Sequence, residues 1–293
     1  MNRGDVDRWR SDVLDEILMA LAADDEIEQC LVFKGARILN ARLGGGRQSL
    51  DLDSNLTHRF VEQHPDREDQ RSLLERSIKR AITRRFEGRN PVRYELDGIG
   101  VKSHPANPHP MGWDAFKITL HVDDLTKSGV RGLPGIVVDV AAPEELLATS
   151  ISAVAIGTTQ AQGYTLERIA GEKMRAFLSS LPACRRKFKR PGKAVRAKDL
   201  YDLARIYHAY PLLHKSFWDT VGREFRVACR SRYIDCLGLD SFTERWNITE
   251  QTYHADLTIP EDIDIVEARS VLETVVGFLH AAAVIPFEHP LPG

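Results

Sequence analysis

Two aspartates, Asp51 and Asp53, stand one residue apart in the run Arg47-Gln-Ser-Leu-Asp-Leu-Asp53, which alternates polar and apolar residues. In an extended strand, side chains at i and i+2 share a face, so both carboxylates project to the same side. Two such groups repel, and a shared divalent cation relieves the repulsion. A third acid, Asp139, lies between Val138 and Val140 in another alternating run. If the two strands are neighbours, three carboxylates converge on one patch. Hard oxygen ligands of this kind suit Mg²⁺, with Mn²⁺ as the alternative. Mg²⁺ keeps several waters and also takes substrate phosphate oxygens. In two-metal sites such ions clamp the attacking and leaving oxygens of an in-line displacement. An isolated Asp-x-Asp is more often a solvated strand edge, so its context decides. Here a glycine turn, Lys34-Gly35-Ala36-Arg37, and a short helix closed by Gly44-Gly45-Gly46 precede it.

Other chemistries find no support. The ten histidines form no H-x-x-x-H or H-E-x-x-H, so zinc hydrolysis is not indicated. His104 and His109 flank a Pro-rich loop and read as ordinary loop residues. Neither a P-loop nor a G-x-S-x-G nucleophile elbow is present. The four cysteines contain no C-x-x-C, which argues against a disulfide framework or zinc ribbon. With 293 residues, 43% hydrophobic content and a net charge of -2, the chain has material for a large core and no signature of disorder. No signal peptide is read in MNRGDVDRWR, and the least polar stretch, 271–287, is too short and too polar for a membrane span. A cytoplasmic protein without membrane contact is expected.

The elements that must position the acids follow from periodicity. Residues 1–28 read as a helix with Val13, Ile17, Leu18 and Leu21 on one face, and 68–86 as a second with Leu74, Ile78, Ile82 and Phe86. Strands are expected at 47–53, 92–96, 116–122 and 136–140. Beyond Pro143 helical periodicity dominates, with helices expected at 144–155, 165–181, 196–209, 216–230 and 266–285. The expected class is α+β: a small mixed sheet with helices over 1–143, then a mostly helical half over 144–293.

Four segments in order resemble a known family. Lys34-Gly35-Ala36 with its short helix, followed by Arg47-x-Ser49-x-Asp51-Leu52-Asp53, resembles the first motif of the nucleotidyltransferase superfamily. Val138-Asp139-Val140 is similar to the strand bearing its third acid. Glu172-Lys173-Met174-Arg175-Ala176-Phe177 and Arg196-Ala197-Lys198-Asp199-Leu200-Tyr201-Asp202-Leu203 resemble two downstream helical motifs. More narrowly, the set is similar to the AbiEii/AbiGii-type toxins, which include the MenT toxins of type IV-style toxin–antitoxin systems. The chain departs from the pattern at Ala36, where a second glycine or a serine is usual, and at Arg37, where a small hydroxyl residue is usual.

The resemblance implies a nucleotidyltransferase-like fold and a Mg²⁺-dependent transfer of a nucleotide from a nucleoside triphosphate to an RNA acceptor. That acceptor would be the 3′ end of tRNA, and its modification would block translation. It implies that Asp51 and Asp53 hold metal and triphosphate, that Asp139 activates the acceptor hydroxyl, and that Lys173 steadies the phosphates. Asp199 would join them in the site from the helical half. Asp202, on the same helix face, reads either as positioning Lys173 or as a packing residue. Lys34, Gly35, Ala36, Arg37, Arg47 and Ser49 fall where the nucleotide is gripped. Backbone N–H groups of such a turn face phosphate, and Arg37 would replace a hydroxyl bond by a charge-assisted one. A cognate antitoxin is the implied protein partner.

From Lys173 to Lys198 the chain carries ten Lys or Arg and no acid. Arg185, Arg186, Lys187, Lys189 and Arg190 cluster there, in a stretch read either as a solvated loop or as an RNA contact. Two rival readings stay open. One is a nucleotidyltransferase acting on a small molecule, as antibiotic-modifying enzymes do; the other is a non-catalytic nucleotide- or partner-binding protein of the same fold.

Overall fold

A computed structural model describes residues 3–127, 132–189 and 194–291. The chain divides into two compact units. The first comprises residues 1–42, 48–144 and 152–164; the second comprises 43–47, 145–151 and 165–293.

The first unit opens with α1 (Arg3–Ala22) and α2 (Asp25–Cys30). The single helix expected over 1–28 is therefore broken at Asp24, whose carboxylate accepts hydrogen bonds from the Glu26 and Ile27 amides and caps α2. Then come β1 (Leu31–Lys34), α3 (Gly35–Leu43), β2 (Leu52–Leu56), α4 (His58–Gln63) and α5 (Arg67–Glu87). The strands β3 (Tyr94–His104), β4 (Ala115–Asp124), β5 (Ile136–Ala141), β6 (Ile151–Ile156) and β7 (Thr159–Tyr164) complete it. All seven strands form one mixed sheet in the order β3-β4-β5-β2-β1-β7-β6. Strand alternation sorts its two faces. Phe116, Ile118, Leu120, Val138 and Val140 are buried with the apolar stripes of α1 and α5, whereas Lys117, His121 and Asp139 are exposed on the other face.

Two expectations are corrected. No helix spans 144–155: Ile151–Ile156 is a strand, joined to β7 by Gly157-Thr158, with Gly157 at φ +60. A two-residue turn with a positive φ matches the strand twist and closes the hairpin. Leu146, Leu147, Ile151 and Val154 happen to mimic helical spacing. The strand expected at 47–53 begins only at Leu52, the first residue to pair with a neighbouring strand.

The second unit is helical: α6 (Leu166–Ser180), α7 (Pro182–Lys187), α8 (Lys198–Ala209), α9 (Lys215–Arg230), α10 (Asp240–Thr243), α11 (Trp246–Ala255) and α12 (Ile265–Ala281). Helix α6 packs on α8 and α9, and α12 on α8. At Gly171 the α9 backbone comes so close that an added Cβ would stand 2.7 Å from the Phe225 nitrogen.

Candidate active site

Strand pairing brings the third acid to the first two. In the parallel pair β2/β5, Asp53 and Asp139 occupy the same register position. Their outer neighbours continue the row: Lys34 lies opposite Asp53 across β1/β2, and Lys117 opposite Asp139 across β4/β5. Register partners share a face, so a row of cation, anion, anion and cation crosses four strands. Although Asp139 lies on the exposed face, its carboxyl is partly shielded from water, and this desolvation pushes it above the usual carboxylate range. Lys117, His104 and Lys34 oppose that rise, while Asp51 adds to it. A carboxylate kept from losing its proton too readily is suited to general-base work.

The turn ahead of α3 is built around Asp53. Gly35 has φ +78, and a Cβ there would sit 2.4 Å from Asp53 Oδ2. Only glycine satisfies both the backbone and the close approach. Asp51 precedes β2 and is held from beside: the Ser49 hydroxyl donates to Asp51 Oδ1 at 2.9 Å. Arg37 is buried and donates to the carbonyls of Ser49 (2.6 Å) and Asp51 (3.3 Å), while pairing with Asp15. The expectation that Arg37 offers its charge to triphosphate is therefore corrected. Its guanidinium faces the 49–51 segment and α1, and it serves as a clamp on the backbone that carries Asp51. Ala36 is buried at the start of α3.

In the second unit Lys173 is only 6% exposed, and its ammonium meets Asp199 at 3.0 Å and Asp202 at 2.5 Å. Arg47 forks onto Asp202 with bonds of 3.0–3.1 Å, and Arg196 reaches Asp199 at 2.6 Å. Burial raises the Asp199 carboxyl, but Arg196, Lys173 and Arg47 outweigh it and hold the group well below the usual carboxylate range. Arg47, Lys173, Asp199 and Asp202 thus form one buried charged network, in which every ion has a counter-ion.

The sequence matches the family described as the nucleotidyl transferase AbiEii toxin of Type IV TA systems over residues 16–273. The chain belongs to the AbiEii family. It is accordingly a nucleotidyltransferase of a toxin–antitoxin family, with a nucleotide substrate and an antitoxin partner implied by that membership. Two crystal structures from Helicobacter pylori share the fold. JHP933 superposes with a TM-score of 0.55 at 14% identity, covering 96% of this chain and 94% of that one. A candidate nucleotidyltransferase superposes with a TM-score of 0.53 at 14% identity, covering 96% and 97%. No curated protein matches the sequence.

For an AbiEii protein the donor set is the point to test. Among the described residues, no three acids, histidines or cysteines surround one point closely enough to form a ready-made metal cage. Mg²⁺ does not need one, since one or two carboxylates, waters and substrate phosphates complete its shell. The paired register of Asp53 and Asp139, with Asp51 tethered alongside, fits that mode.

Sequence reasoning missed a set of residues around Lys34. The Lys34 ammonium stands 3.5 Å from Glu144 and 5.9 Å from the Tyr164 ring centre. The Tyr164 hydroxyl donates to Glu144 at 3.2 Å and accepts from the Asn55 amide at 2.5 Å. Asn55 is two residues beyond Asp53 on the same strand face and was legible; Glu144 and Tyr164 arrive by tertiary folding alone. In the basic tract, Arg186 pairs with Glu244 and Lys187 with Asp235. Arg185 and Lys189 lie beside them, and Arg190 falls outside the described residues. No helix among the described residues is long and apolar enough to cross a membrane.

Proposed function

We propose that this protein is a Mg²⁺-dependent toxin that transfers a nucleoside monophosphate from a triphosphate to the 3′ end of an RNA, the acceptor end of a tRNA, and thereby blocks translation. The observation that carries the reading is the shared register of Asp53 and Asp139, with Asp51 tied beside them. Asp51, Asp53 and Asp139 would hold Mg²⁺, which when bound supplies positive charge to the triphosphate oxygens. Asp139 takes the proton of the acceptor hydroxyl, and the hydroxyl oxygen attacks the α-phosphorus. The bond from the α-phosphorus to the α–β bridging oxygen breaks, and pyrophosphate leaves. Lys34 and the Gly35-Ala36 turn lie beside Asp53, where phosphate charge gathers. Lys173 and Asp199 stay in the proposed machinery on the motif alone, and Arg47 supports them through Asp202.

The test is incubation with each α-labelled nucleoside triphosphate, Mg²⁺ and total RNA. Label in a tRNA-sized band with intact protein, and none with Asp53→Ala, is the expected result. Label in no RNA, together with label on an aminoglycoside-type small molecule, would replace this reading by the small-molecule one.

A further inference from the structure

The charged row on the first unit's sheet does not stop at Lys117. Across β3/β4, Lys102 occupies the register position opposite Lys117, so the row runs Lys34, Asp53, Asp139, Lys117, Lys102 over five strands. Lys102 and Lys117 are both exposed, and neither is in an ion pair among the described residues. His104, two residues along β3 from Lys102 and on the same face, is exposed as well. The hairpin loop begins there. In it the His109 and Trp113 rings stack with centroids 5.1 Å apart and planes inclined by 23°.

This loop is anchored rather than loose. Arg67 donates to the Pro105 carbonyl at 2.8 Å and pairs with Asp114 at 3.3 Å, while Asp114 accepts from the His109 amide at 3.0 Å. An aromatic pair on a pinned loop, in the hairpin whose strands carry paired lysines, is the combination that single strands use: cations for the backbone and ring faces for the bases. Its direction agrees with the chemistry. In an in-line displacement the acceptor approaches opposite the leaving pyrophosphate. The glycine turn and Lys34 lie on the β1/β2 side of Asp139, so the acceptor side is the β4/β3 side.

We propose that the β3–β4 hairpin holds the unpaired 3′ end of the acceptor RNA, with Lys117 and Lys102 on its phosphates and the His109–Trp113 stack against a base. The proposal rests on the RNA-acceptor reading and specifies where that acceptor binds. The experiment uses the full chain and a fluorescent single-stranded RNA with the sequence of a tRNA 3′ end. Anisotropy gives its affinity over a salt series, and steady-state transfer gives KM for RNA and for the nucleotide. In Lys102→Ser/Lys117→Ser the slope of log affinity against log salt should flatten by about 1.4, at about 0.7 per lost single-strand contact. Trp113→Ala should weaken binding about 5- to 100-fold, as loss of one stacked base does, and Trp113→Phe should restore most of it. The KM for nucleotide should not move in Trp113→Ala. Unchanged slope and affinity in all variants, while the intact protein still labels RNA, would overturn the hairpin as the acceptor site. Failure of the intact protein to bind or label any RNA would instead overturn the reading on which it rests.

Discussion

Gly35 and Asp53 lie so close that one added methyl group at Gly35 would press on the carboxylate. A side chain at φ +78 costs about 1–2 kcal/mol in itself. The Cβ of Gly35→Ala would in addition press on Asp53 Oδ2. That variant should unfold at lower urea and lose transfer, both read on one preparation. Asp53→Ala should lose transfer yet keep its urea midpoint, because it removes one of two facing acids. A second contrast lies at Lys173. Replacing it by Ala strips a counter-ion from Asp199 and Asp202, whose side chains are fully buried, and should cost about 3–5 kcal/mol. Any fall in its activity must therefore be measured on the folded fraction, and Lys173→Arg is the better test of the phosphate role. The pH dependence has a definite sign. Asp199 is depressed in the folded chain, so its contribution is complete above the unfolded value of about 4. It fades as pH falls through the lower folded value. Asp199→Asn should be less stable at pH 7 and lose less on acidification, as denaturant midpoints at pH 7 and pH 3 would show.

Elements were legible wherever a single period ran unbroken. The alternation of 116–122 and 136–140 and the four-residue stripe of 68–86 correspond to β4, β5 and α5 within a few residues. Pairing was not legible, because the Asp53–Asp139 register joins strands 86 residues apart and no local pattern encodes it. The hairpin at 151–164 was hidden for the opposite reason, its apolar residues fitting a helical stripe by accident. The motif helices α6 and α8 were found, but the burial of Lys173 between two acids was not, since those partners come from the packing of α6 on α8. That packing makes its own prediction on the other side of α6. Gly171→Ala would push the helix off the α9 backbone and should destabilise the second unit by about 1–3 kcal/mol. Chemical denaturation followed by the fluorescence of Trp218 on α9 reads this directly.

At the scale of the molecule, a net charge of -2 conceals local balances that differ in kind. Arg186 and Lys187 are ion-paired with Glu244 and Asp235, whereas Lys102 and Lys117 are in no ion pair among the described residues, although Lys117 lies in register with Asp139. Replacing Arg186 and Lys187 together should therefore flatten the salt dependence of RNA binding less than replacing the two hairpin lysines, in the same titration. The path of the chain is also uneven. Residues 43–47 belong to the second unit although they leave the ribosome among the first, and Arg47 waits for Asp202, 155 residues later. At 5–20 residues per second that interval is about 8–30 s. Throughout it Arg47 lacks Asp202. The delay leaves residues 43–47 without their place in the second unit for as long as a chain is nascent or truncated. Chains ending before Lys198 should be cut within 43–50 by limited proteolysis, at sites that the complete chain protects.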